Sequence, residues 1–301
     1  MSSSLYPKPI VSTVWLENHL NDASVRIIDI RGRVAPASDP PPHYFSHRAA
    51  YVKSHIPGAV FIDWVTDITI DGPSQMQIAP PEKFAALMGK LGISSRTFVV
   101  AYDDADGMFA ARLWWALQYY GHDKVAVLDG GWQKWLAENR PVTAESPRIP
   151  VKTFTPRINA ALRWTADDVQ QSLETGVHLI DVRTPAEYNG QASRARRMGH
   201  IPGAINLPRS LFVSNDGALK PSGVLQDVFS AHDIPLNGST ASTGSDNSES
   251  RDGETPVVLY CNGGVSASYG LLALRQAGYE GGAVYDGSWK DWGNDDTRPI
   301  E

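Results

Sequence analysis

Short apolar runs recur along this chain, each too brief for a helix and each closed by a polar or small residue. They are Ile27-Ile28, Val99-Val100-Ala101, Val127-Leu128, Leu179-Ile180, Val257-Val258-Leu259-Tyr260 and Val284-Tyr285. Such runs read as buried strands. Between them lie helix-like stretches, for example 80–88, 110–117 and 269–275. Strands alternating with helices imply an α/β fold, a mostly parallel sheet with helices on both faces. In open sheets of this kind, ligands bind beyond the carboxyl ends of the strands.

The pattern occurs twice. Ile27-Ile28-Asp29-Ile30-Arg31 matches Leu179-Ile180-Asp181-Val182-Arg183, and Ser54-His55-Ile56-Pro57-Gly58-Ala59 matches Gly199-His200-Ile201-Pro202-Gly203-Ala204. Val99-Val100-Ala101-Tyr102-Asp103 matches Val257-Val258-Leu259-Tyr260-Cys261, and Asp129-Gly130-Gly131-Trp132 matches Asp286-Gly287-Ser288-Trp289. Four matches in one order, about 150 residues apart, indicate a duplicated domain and not a solenoid repeat. The expected organisation is one domain over 1–143, a proline-bearing linker over 144–158 and a second domain over 159–301. A Ser-, Thr-, Gly- and Asp-rich stretch over 237–255 reads as a flexible surface insertion without a function of its own.

Composition narrows the class. The 301 residues fit two domains at roughly 100–200 residues each. With 42% hydrophobic and 20% charged residues, the chain can fill a sizeable core. A formal net charge of −6 argues against a general nucleic-acid binder. No apolar stretch is long enough to cross a bilayer, and the start lacks the pattern of a secretory signal. The single cysteine, Cys261, excludes an internal disulfide and any multi-cysteine metal site.

Cys261 is also the main candidate for chemistry. It ends a strand and precedes Asn262-Gly263-Gly264-Val265-Ser266-Ala267 and a helix. Backbone N–H groups can converge there without side-chain obstruction, and the helix end adds partial positive charge. Both effects favour thiolate over thiol. A reducing cytoplasm suits such a group. The competing reading is a buried core cysteine.

These residues carry a resemblance. The duplicated His-Ile-Pro-Gly-Ala segments, Trp114-Trp115, Gly121-His122, Asp129-Gly130-Gly131-Trp132 and the Cys261 loop together resemble the two-domain sulfurtransferases of the rhodanese and 3-mercaptopyruvate sulfurtransferase family. The resemblance implies two tandem rhodanese-like domains and a first half that has lost its catalytic residue. Asp103 stands at the position of Cys261, and a carboxylate cannot carry sulfur. It also implies transfer of a sulfane sulfur from thiosulfate or 3-mercaptopyruvate to cyanide or a thiol, small or on a protein. The sulfur would pass through a Cys261 persulfide in a ping-pong cycle. The loop Asn262, Gly263, Gly264, Val265, Ser266 and Ala267 is expected to cradle the sulfur with N–H donors, without a metal or organic cofactor. Ser266 either adds a hydroxyl donor or caps the following helix.

The loop carries no positive side chain, which resembles the mercaptopyruvate kind more than the thiosulfate kind. Two departures stand against that: Gly263 where a hydroxyl is expected, and Glu187 where a substrate arginine is expected. The donor's anionic end still needs a cation. Arg194, Arg196 and Arg197 precede Gly199-His200, and Arg197, then Arg194, is the expected order of candidates. His55 and His200 stand in both halves and read as structural, as do the Asp29–Arg31 and Asp181–Arg183 pairs. One or two of the nine tryptophans are expected in the cleft.

Rival readings are a non-catalytic binding or regulatory module, a cysteine phosphatase, and a relay that hands sulfur to a dedicated protein. The phosphatase loop needs an arginine close after the cysteine, and the next one here is Arg275. Neither nucleic acid nor membrane is an expected partner, and a monomer suffices.

Overall fold

A computed structural model describes residues 9–37, 39–40, 42–70, 76–234 and 256–301. The expected insertion at 237–255 lies outside the described residues. In the first half the strands are β1 (Ile10–Val11), β2 (Val25–Asp29), β3 (Gly32–Val34), β4 (Tyr44–Ser46), β5 (Val60–Phe61), β6 (Phe98–Tyr102) and β7 (Val125–Leu128). In the second they are β8 (Arg163–Trp164), β9 (His178–Asp181), β10 (Ile205–Asn206), β11 (Val257–Tyr260) and β12 (Ala283–Tyr285).

Each half holds a five-stranded, all-parallel sheet. The order is β1-β7-β6-β2-β5 in one and β8-β12-β11-β9-β10 in the other. Superposing the two orders pairs each strand with its repeat, so the duplicated motifs are one topology used twice. The exception is the antiparallel pair β3–β4, an excursion of the first half that has no counterpart among the described residues of the second. Central strands β6 and β11 are buried along their whole length, as their unbroken apolar runs require.

The duplicated motifs have structural work in both halves. Asp29 and Asp181 each bind, through both carboxylate oxygens, the arginine two residues on, which in turn donates to the carbonyl of Ser54 or Gly199. His55 is fully buried, with Nδ1 on the carbonyl of Tyr51 at 2.7 Å; His200 places Nδ1 on the carbonyl of Tyr188 at 3.0 Å. Both rings stack on those tyrosines. The stretch 144–158 forms no helix or strand. It runs along the first half, where Phe154 packs on Phe84 and the N–H groups of Lys152 and Arg157 reach Gly89 and Tyr120.

The halves meet through the helices that follow β6 and β11, Met108–Tyr119 and Val265–Ala277. Nearly every residue of both is buried, because each packs on its own sheet and on the other helix. Under this seam lies a buried ion pair. Arg112 donates to Asp286 Oδ1 at 2.5 Å and to the carbonyl of Met76 at 2.8 Å, while Asp286 Oδ2 accepts from Ile78 N and Arg163 Nε, both at 3.0 Å. Among the described residues, no helix is long and apolar enough to cross a membrane.

Removing one member of a buried pair leaves an uncompensated charge, which typically costs about 3–5 kcal/mol. Arg112→Met is therefore expected to lower unfolding stability in urea by roughly 3 kcal/mol. Arg196→Met, which removes an exposed pair with Asp296, should cost less than about 1 kcal/mol.

Candidate functional site

Cys261 follows the last residue of β11, and the loop 261–264 turns directly into the Val265–Ala277 helix. Gly264 holds φ at +78°, where a Cβ would also lie 2.7 Å from Arg112 Nη1. At Gly263 a Cβ would lie 2.4 Å from the Cβ of Met76, so the first half packs directly against the loop backbone. Cys261 is only 4% exposed and belongs to the hydrophobic core, yet it lines the floor of a cleft of about 280 Å³ between the halves. Cys261 is thus a core residue that also meets the cleft.

The first half shows what such a loop does around an anion. Asp103 is fully buried, and its carboxylate accepts from the N–H groups of Ala105 (2.8 Å), Gly107 (2.9 Å), Phe109 (2.7 Å) and Ala110 (2.8 Å). Burial pushes this carboxyl upward, and the amide bonds oppose that shift. Gly107 (φ +81°) and Gly264 (φ +78°) are the matching left-handed residues before the two helices. On that alignment Phe109 and Ala110 correspond to Ser266 and Ala267. The N–H groups of Asn262, Gly263, Val265, Ser266 and Ala267 find no acceptor among the described residues. The N–H of Gly264 does find one, on Ser288 Oγ at 3.0 Å. The two loops are not identical: four positions separate Asp103 from Gly107 and three separate Cys261 from Gly264.

Ser288 escaped the sequence reading. Its Oγ accepts from Cys261 N (3.1 Å) and Gly264 N (3.0 Å) and donates to the carbonyl of Tyr285 (2.7 Å). Trp289 N and Lys290 N then bind the carbonyls of Cys261 and Asn262, both at 2.9 Å. The segment after β12 thus ties both ends of the loop. Its counterpart in the first half is Gly131, so this position differs between the repeats just as 103 and 261 do. That difference was the available signal.

Of the expected cations, Arg194 lines the cleft and Arg197 does not. Arg197 donates to the carbonyls of Arg298 and Trp292, both at 2.8 Å, and also to that of Asp295. Arg197, the first expected candidate, is spent holding the carboxyl-terminal turn. Arg194 gives Nη2 to the carbonyl of Ala35 at 2.7 Å, while its buried Nη1 has no partner. Arg209, unremarked in the sequence, also lines the cleft. Its Nη2 lies 3.5 Å from Asp106 Oδ2, and its buried Nη1 is likewise unpartnered. Ser266 does not cap the helix through its side chain; its Oγ donates to Met108 Sδ at 3.3 Å.

The opposite wall comes from the first half: Val34 and Tyr44 of the β3–β4 excursion, with Trp64, Met76 and Met108. Among the described residues, Trp64 is the tryptophan that lines the cleft. The Tyr44 phenol is pushed up by burial, with Arg194 pulling down and the nearby Cys261 and Glu187 pushing further up. These residues lie far from Cys261 in sequence and carry no motif. Among the described residues, no group of histidine, cysteine or acidic side chains is arranged to hold a metal.

Comparison with known proteins gives the same class. The rhodanese-like domain matches residues 12–138 and again 165–295. The chain belongs to the rhodanese-like family. It is 31% identical to a thiosulfate sulfurtransferase of Rattus norvegicus over 95% of this chain and 92% of that one. It is 33% identical to a sulfur carrier protein of Thermus thermophilus over 98% and 97%. Its structure matches the crystal structure of a 3-mercaptopyruvate sulfotransferase from Escherichia coli with a TM-score of 0.78, at 28% identity over 94% and 99%. The chain is a sulfurtransferase of two tandem rhodanese-like domains.

Replacing Ser288 tests the loop brace. Ser288→Ala leaves two buried N–H groups without an acceptor and is expected to lower stability by about 2 kcal/mol in thermal melts. Ser288→Gly should cost roughly 1 kcal/mol less, because the φ of +54° at this position strains any side chain.

Proposed function

We propose that Cys261 carries the transferred sulfur as a persulfide and that the cleft selects a small anionic donor. The observation that supports this reading is the pair of loops: one holds the Asp103 carboxylate with four amides, and in the other the N–H groups of Val265, Ser266 and Ala267, at the start of the helix that follows Cys261, find no acceptor among the described residues. Preorganised donors of this kind stabilise negative charge on sulfur without a cofactor.

In the first half-reaction the Cys261 sulfur attacks the outer sulfur of the donor. A sulfur–sulfur bond forms to Cys261. With thiosulfate, the donor's own sulfur–sulfur bond breaks and sulfite leaves with the electron pair. With 3-mercaptopyruvate, the carbon–sulfur bond breaks, the pair stays on carbon as an enolate, and a proton yields pyruvate. In the second half-reaction cyanide or a thiolate attacks the outer sulfur, and Cys261 departs as thiolate. The guanidinium groups of Arg194 and Arg209, which both line the cleft, support binding of the donor's carboxylate or sulfonate end. The likeness to a sulfur carrier protein supports a protein thiol as a second class of acceptor. The single cysteine also fits a reducing compartment such as the cytoplasm.

Cyanide-dependent turnover with each donor tests the reading. Cys261→Ser should abolish turnover with both, and intact-mass measurement of the wild-type chain after donor treatment should show one added sulfur on Cys261. Turnover that survives in Cys261→Ser would sink the proposal. Arg194→Ala is expected to raise the donor KM roughly tenfold through loss of a charge-assisted bond, whereas Arg197→Ala should leave it within about twofold.

A further inference from the structure

Glu187 is a carboxylate that the sulfur-transfer chemistry does not call for. It is 8% exposed, lines the cleft beside Cys261, and sits on the short helix Pro185–Tyr188. Its two oxygens do different things. Oε2 closes a capping box, accepting from Thr184 Oγ1 at 2.8 Å and from Thr184 N at 3.2 Å. Oε1 faces the loop and accepts from Asn262 Nδ2 at 2.8 Å, with Arg194 Nε 3.7 Å away. The carboxylate is thereby fixed next to the residue that follows Cys261.

Its effect is on the charge of the cleft. Three arginines line it: Arg183, Arg194 and Arg209. Arg183 is neutralised by Asp181 at 2.6 Å in a fully buried pair. Arg209 stands 3.5 Å from Asp106, and Arg194 stands 3.7 Å from Glu187. Lys290 adds a half-buried amine over the Tyr44 ring at 5.1 Å, its charge disfavoured first by burial and then by Arg194. Among the described residues, each arginine of the cleft therefore has an acidic neighbour. A second negative charge on a ligand meets little uncompensated positive charge, and in a buried site each added charge matters.

We propose that Glu187 determines donor specificity: its fixed charge beside the Cys261 loop disfavours doubly charged sulfur donors and tips the site toward donors with one negative charge. The inference rests on the sulfur-transfer reading above. Glutamine at 187 removes the charge and little else. Gln also serves at this position of a capping box. Asn262 Oδ1 is buried without a partner, so an amide flip at Asn262 supplies an acceptor for the new NH₂ group.

The test compares kcat/KM for thiosulfate, a dianion, with that for 3-mercaptopyruvate, whose carboxylate is its one charge, both with cyanide as acceptor. In Glu187→Gln the thiosulfate to 3-mercaptopyruvate ratio is expected to rise about tenfold. Thr184→Val, which weakens the cap but keeps the charge, should lower the melting temperature and leave the ratio unchanged. A ratio that stays constant in Glu187→Gln while turnover persists overturns the inference and spares the sulfur-transfer reading. Wild-type protein that transfers sulfur from neither donor overturns both.

Discussion

The Asp286 carboxylate is the point at which the two halves and the Cys261 loop are held to one another. One oxygen takes a hydrogen bond from Arg112 of the first half; the other takes one from the Ile78 amide of the first half and one from Arg163 of the second. Two residues later Ser288 braces the loop. The same arginine and the same aspartate fill the space where a side chain at Gly264 would stand. A buried ion pair contributes little net stability over an apolar pair of the same shape, but misaligning it is costly. Its physical effect here is registration. The relative position of the halves, the shape of the cleft and the conformation of the loop are set by one network.

The duplication gives the molecule an internal control. Position 112 in one helix corresponds to 269 in the other, five residues after the left-handed glycine in each case. Arg112 lies under the loop of Cys261, and Tyr269 lies under the loop of Asp103, 3.1 Å from where a side chain at Gly107 would be. The halves thus support each other's loops reciprocally, with different chemistry on the two sides. Around Asp103 the amides are satisfied by a resident carboxylate. Around Cys261 the amides of Cys261 and Gly264 are taken by Ser288, and those of Asn262, Gly263, Val265, Ser266 and Ala267 find no acceptor among the described residues. The first loop is filled by its own carboxylate, and the second has no such side chain.

The sequence made the fold legible because its signals were local and repeated. Strand runs such as 257–260, the paired His-Ile-Pro-Gly-Ala segments and the Asp-x-Arg strand ends each occupy the structural role their spacing implies. The place of Cys261 at a strand end was legible for the same reason. The cleft wall was not, because Tyr44, Trp64 and Met76 reach the site only through packing of one half against the other. The arginines show the limit most clearly. Arg194 and Arg197 are three residues apart with the same chemistry, and only their partners distinguish them: carbonyl oxygens near the carboxyl terminus for one, a cleft for the other. Chain spacing carries no information about that. Glu187 was noticed as a departure, but its contact with Asn262 depends on how the loop turns.

The paired helices Met108–Tyr119 and Val265–Ala277 have a consequence for how the protein can come apart. Each is apolar around almost its whole circumference, so neither half can leave the other without exposing a helix that water does not tolerate. The tandem domains are therefore not beads on a string that melt in turn. They share one cooperative unit, and a cut in the stretch that connects them would yield a nicked but still associated pair.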